Sequence, residues 1–131
     1  MSLHVVKVFG TNGYSGDGQC SWTYSSTLVD AANRCASAGA KIISMSLGGP
    51  SASTTESNAF QGHYNNGILN IAAAGNDGNS ALSYPAGYPS VVSVAAVDQN
   101  NVKASFSQFN AEVELSGPGV DTLSTTPLAM A

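Results

Sequence analysis

Charge is scarce in this chain. Of its 131 residues, four are Lys or Arg and eight are Asp or Glu, for a formal net charge of −4. Nucleic acid is therefore not an expected partner, because neutralising phosphates needs clustered basic side chains. Long apolar runs are also missing. None approaches the roughly 20 residues that cross a bilayer, so no membrane span is expected. The chain equally lacks the high charge and low apolar content of a disordered tail, since 43% of its residues are hydrophobic. Cysteine is limited to Cys20 and Cys35. Small residues fill the gap, with 18 Ala, 19 Ser and 14 Gly. Such a chain folds, and its length suits one domain.

Met1-Ser2-Leu3 reads as a cloning remnant, which leaves residues 4–131 as the natural sequence. Val5-Val6-Lys7-Val8-Phe9-Gly10 predicts a buried first strand ending at a glycine turn, followed by a polar loop over 11–18. Ser25 or Ser26 can cap a helix in which Leu28, Ala31, Ala32 and Cys35 recur at helical spacing up to Gly39. Residues 41–46 predict a second strand, closed by Leu47-Gly48-Gly49-Pro50. A weaker helix follows over 54–64, with Phe60 and Tyr64 four apart on one face. Apolar runs over 68–74 and 91–97, and a shorter one at Glu112-Val113-Glu114-Leu115, complete about five strands. Nearly continuous apolar strands separated by helices predict an α/β fold with a parallel sheet covered on both faces. In such sheets ligands bind at the carboxyl ends of the strands, here the loops at Gly48-Gly49 and Gly75-Asn76.

Those loops carry a resemblance. Met45-Ser46-Leu47-Gly48-Gly49, Ile71-Ala72-Ala73-Ala74-Gly75-Asn76, Tyr84-Pro85-Ala86-Gly87-Tyr88-Pro89-Ser90-Val91, Ala104-Ser105-Phe106-Ser107 and Gly117-Pro118-Gly119-Val120 stand in one order along nearly the whole chain. In that order they resemble the subtilisin family of serine proteases. The resemblance implies a three-layer subtilisin-like fold, here incomplete, and residues 4–131 as the central part of a secreted peptidase domain acting on polypeptides. It implies that Asn76 donates to the oxyanion of the tetrahedral intermediate. It makes Ser46, Leu47 and Gly48 one wall of the substrate pocket, Ala73, Ala74 and Gly75 the other, and sets residues 14–18 near the far side of the channel. No cofactor is required; a Ca²⁺ or Na⁺ ion held near Ala86, Tyr88, Val91 and Glu114 (or Glu112) is a further implication. Two cysteines in a secreted-type sequence invite a Cys20–Cys35 disulfide, the alternative being one buried and one exposed thiol.

The machinery that resemblance would require is not all present. A serine protease needs a nucleophilic serine, a histidine base and an orienting aspartate. None of the 19 serines lies in a nucleophile motif, and His4 and His63 stand beside no matching segment. His63 reads as a surface or partly buried side chain, and its spacing from Glu56 does not suit a metal. The expectation is a chain that supplies an oxyanion donor and substrate walls but is inactive alone. By family topology a strand carrying the aspartate lies between the strand at Val5 and that at Ile42, and a serine-bearing helix covers the sheet. Without them the first strand closes on the Ile42 strand or a second copy fills the gap, by dimerisation or strand exchange. Two other readings stay open: a natural non-catalytic binding module of the same family, and an unrelated flavodoxin-like ligand-binding domain. Against the latter, no glycine-rich phosphate loop follows any strand.

Overall fold

The computed structural model describes residues 2–9 and 25–125. Helix α1 spans Ser25–Ser37, strand β1 Ile42–Met45, helix α2 Thr54–Asn65, and strands β2, β3 and β4 Leu69–Ala73, Val91–Val97 and Val113–Pro118. The four strands form one sheet in the order β1-β2-β3-β4, every pair parallel. Their carboxyl ends therefore lie at one edge of the sheet.

Local chemistry explains the helices. In α1, Leu28, Ala31 and Ala32 are buried and Cys35 is half-buried, one stripe at helical spacing. The helix stops where Gly39, at φ +88°, turns the chain; its N–H bonds the Ala36 carbonyl. Helix α2 starts at Ser53, whose Oγ accepts the Glu56 N–H at 3.4 Å. Its buried residues are Glu56, Phe60 and His63. Tyr64 does not share the buried face of Phe60 and is exposed. Four residues advance a helix by about 400°, and that 40° offset carries Tyr64 outward.

Leu28 and Ala32 from α1, Phe60 from α2, and Ile43, Met45, Ala72 and Val91 from the strands form a single core, joined by Ala86 and Tyr88. Both helices thus cover the same face. His63 is buried there, a correction to its reading as a surface or partly buried residue. Its ring nitrogens lie 3.3 Å from Asn70 Oδ1 and 2.9 Å from Asn33 Oδ1, while Asn70 Nδ2 donates to the Phe60 carbonyl. These amides satisfy an imidazole that would otherwise be costly to bury.

Two expectations need revision. The first strand is absent: residues 2–8 have no regular structure, and Leu3 and Val5 are 82% and 76% exposed. A strand is defined by its neighbour, and this segment does not pair with β1. Among the described residues four strands, not about five, make up the sheet. Both described helices lie on one face of this parallel sheet, the incomplete form of the expected three-layer fold. In register, Ile42 pairs with Leu69, Ser44 with Ile71, Ile71 in turn with Val92, Ala73 with Val94, and Val94 in turn with Leu115, and no helix of the core covers this second face. Ile42, Leu69 and Leu115 remain 61%, 41% and 58% exposed.

The exposed apolar side chains on that face predict self-association through it at high concentration. Light scattering should show a dimer that Ile42→Ser with Leu115→Ser weakens; a monomeric mass throughout the concentration range would count against it.

Candidate functional site

The site grows from strand register. Met45 pairs with Ala72, so β1 and β2 end side by side and release two segments into the same space. On one, Ser46 and Gly48 are exposed while Leu47 packs against the core. This segment is fixed where Gly49 and Tyr84 exchange backbone hydrogen bonds of 2.9 and 2.8 Å. A Cβ on Gly48 would meet Ser83 Oγ at 2.5 Å, so a larger residue there would have to displace the Ser83 hydroxyl.

On the other segment Ala73 is exposed, Ala74 is buried with its N–H on the Val94 carbonyl at 2.9 Å, and Asn76 is exposed. The turn between them depends on Gly75, at φ +114°. A side chain there would be strained, and its Cβ would collide with Gln108 Oε1. The Asn76 amide has no hydrogen-bond partner among the described residues, leaving its N–H groups available to a ligand.

Gln108 is the residue that sequence reasoning missed. It is 3% exposed; its backbone N–H bonds the Gly75 carbonyl at 3.1 Å and its Nε2 the Ala81 carbonyl at 2.8 Å. Gly78 N–H to Phe106 O, Phe109 N–H to Asn79 O and Asn110 Nδ2 to Ala81 O complete the attachment of residues 75–81 to residues 106–110. Glutamine is ordinarily a surface residue, and nothing in the sequence around Gln108 marked it as buried.

The other expected site residues fall less neatly. Residues 14–18 and Cys20 lie outside the described residues. Cys35 is half-buried, and the expected Cys20–Cys35 disulfide involves a residue outside those described. Cys35 packs against the core cluster. No cluster of three His, Cys, Asp or Glu side chains suited to a metal occurs among the described residues. The oxygens near Ala86, Tyr88 and Val91 are backbone carbonyls in a tight turn, of which that of Tyr88 already accepts the Val91 N–H at 2.9 Å. Glu114 lies where the β3–β4 register shifts, and its Oε2 accepts the Ser93 N–H at 2.6 Å. One carboxylate oxygen and neutral carbonyls fit a hard cation in kind, though part of their bonding capacity is already used.

The subtilase family model matches residues 2–130. The chain is 43% identical over 131 residues to subtilisin DY of Bacillus licheniformis, an alignment covering 97% of this chain and 45% of that protein. With subtilisin BL of Lederbergia lenta it shares 38% over 125 residues, covering 95% and 44%. Its structure is similar to that of Apa1, a psychrophilic subtilisin-like protease from the Antarctic psychrotroph Pseudoalteromonas sp. AS-11. That match has a TM-score of 0.77 at 56% identity, over 88% of this chain and 25% of the other. A second solved structure, the prenylagaramide maturation protease PagA, matches with a TM-score of 0.75 at 32% identity, over 84% and 43%. The chain thus spans less than half the length of the curated relatives it matches.

Gly75→Ala is expected to lower stability by about 1–3 kcal/mol through backbone strain and the clash with Gln108. Urea unfolding measures this; an unchanged midpoint would remove Gly75 from the account of the turn.

Proposed function

The chain belongs to the subtilase family, and we propose that it supplies the oxyanion donor and the substrate walls of a secreted serine endopeptidase while being inactive by itself. The observation that carries this reading is the exposed, unpartnered Asn76 amide at the end of β2, beside the segment 46–48 that leaves β1 in register. An extended peptide lies along Ser46, Leu47 and Gly48, whose backbone offers it strand-like pairing. Ala73, Ala74 and Gly75 form the opposite wall, and their small side chains leave room for that of the substrate. In the tetrahedral intermediate the scissile carbonyl oxygen becomes an anion, and the Asn76 N–H stabilises charge that exists only at that stage. A donor of this kind is typically worth ~10²–10³ in turnover.

The inactivity rests on the absence of a nucleophile–base pair. His63 is buried between Asn33 and Asn70, out of reach of a substrate, and His4 lies on the exposed stretch 2–8. Neither is hydrogen-bonded to a serine among the described residues, which supports this reading. Membership of the family leaves no support for the flavodoxin-like alternative.

A hard cation near Ala86, Tyr88, Val91 and Glu114 would stabilise the folded chain without joining the reaction. Millimolar CaCl₂ or NaCl should then raise the thermal midpoint, and Glu114→Gln should abolish the rise; no rise with either salt removes the site.

Mapping amide chemical shifts while titrating an uncharged tetrapeptide amide tests the main reading. Perturbations should concentrate at residues 46–49 and 73–76, and Asn76→Leu should leave them in place, since Asn76 acts on the intermediate and not on the bound peptide. Perturbations spread elsewhere, or none, would sink the substrate-wall assignment. Turnover of a peptide anilide that a serine-directed inhibitor blocks would overturn the inactivity.

A further inference from the structure

We infer that Tyr88 and Glu56 form a latch that fixes the substrate wall at 46–48, acting as positioning residues for the peptide site. The inference rests on the reading of that wall given above. Glu56 stands in the first turn of α2, where a carboxylate would normally be solvated, yet it is 3% exposed. Its Oε2 accepts the Tyr88 hydroxyl at 2.8 Å. The phenolic oxygen in turn accepts the Ser53 N–H at 2.8 Å, and the Ser53 carbonyl lies further off at 3.3 Å. The hydroxyl proton goes to the nearer, charged acceptor, which leaves an oxygen lone pair directed at Ser53.

Ser53 closes the loop that begins at the wall. Residues 46–53 run from the end of β1 to the cap of α2. They are held at Gly49 by the two backbone bonds to Tyr84 and at Ser53 by the Tyr88 hydroxyl. The two anchors are one body, since the Tyr84 and Tyr88 rings lie 4.8 Å apart and Tyr88 packs on Phe60 at 6.3 Å. The wall therefore cannot shift without breaking either a backbone pair or the phenol contact.

A leucine at position 56 would fill the same space without a desolvated charge, so burial alone does not account for Glu56. What the carboxylate adds is direction, because it aims the hydroxyl so that the Ser53 N–H has an acceptor. Burial pushes the Tyr88 phenol up to about 12, and the hydroxyl keeps its proton throughout the neutral range.

The test is amide hydrogen exchange on the full chain, paired with titration of the same tetrapeptide amide. Tyr88→Phe should speed exchange at Gly49 and Ser53 about tenfold relative to β2 and β3 amides, and weaken the peptide by a similar factor. Glu56→Gln keeps an acceptor for the hydroxyl and should restore both readouts to near the parent values, whereas Glu56→Leu should loosen the wall. Equal acceleration at Gly49, Ser53 and the strand amides would overturn the latch, as would Glu56→Gln loosening the wall as much as Glu56→Leu. If Tyr88→Phe does not fold, the two Glu56 variants decide the question. Failure of the parent chain to bind the peptide would instead count against the substrate wall, while the exchange comparison would still decide the latch.

Discussion

Parallel pairing of Ile43 with Asn70 and of Met45 with Ala72 ends β1 and β2 at the same level, and every feature of the site follows from that register. A slip by one residue would reverse the face of each side chain, exposing Ile43 and Met45 and burying Ser44. The register is held by the core contacts of those two residues and by Asn70, which sits fully buried as the second residue of β2. Asn70 can occupy that place only because His63 and the Phe60 carbonyl engage its amide. A polar contact between α2 and β2 thus fixes the strand that delivers Ala73, Gly75 and Asn76.

Small residues act differently at the two ends of the molecule. Within the core, Ala32, Ala72 and Ala86 allow the helices and the loop 74–90 to approach the sheet around Phe60. At the carboxyl edge, Gly48 and Gly75 let a serine hydroxyl and a buried amide occupy the place of a side chain. The scarcity of charge fits the same picture. Loops that pack onto each other leave few sites where a charged group would be solvated, and the one described ion pair, Asp30 with Arg34, lies exposed on α1.

Much of this was legible in the sequence because its causes were local. The strands at Ile42, Leu69 and Val91 announced themselves as β-branched or apolar runs, and α2 more weakly by the spacing of Phe60 and Tyr64. The family motifs located the loops that meet at the edge. What failed depended on partners remote in sequence. Val5, Val6 and Val8 have the composition of a strand, but nothing local reveals whether a neighbour is present to pair with it. Likewise an apolar run conceals that Asn70 within it is buried and bonded, and nothing near His63 signals that Asn33 and Asn70 enclose it. Glu56 reads as a helix-start residue, which it is; its buried phenol partner lies 32 residues away.

The buried polar groups gather where the chain is least regular. Apart from the His63–Asn70 pair and Ser93, those that are buried (Glu56, Ser83, Ser90, Ser107 and Gln108) lie in or against the connections that frame the carboxyl edge of the sheet. A strand satisfies its own N–H and C=O groups through the ladder, whereas a loop that must lie flush with others needs side chains to do it. Gln108 serves the Ala81 carbonyl, Ser107 Oγ the Ala96 N–H, and the Tyr88 hydroxyl the Ser53 N–H. Among the described residues no buried side-chain polar atom is left without a partner, so these loops are held in place before any ligand arrives. Preorganisation is what a donor such as Asn76 requires, since a loop that had to order itself around a developing charge would forfeit much of the stabilisation it offers. The polar residues hidden behind the site are therefore as much a part of its chemistry as the exposed amide in front.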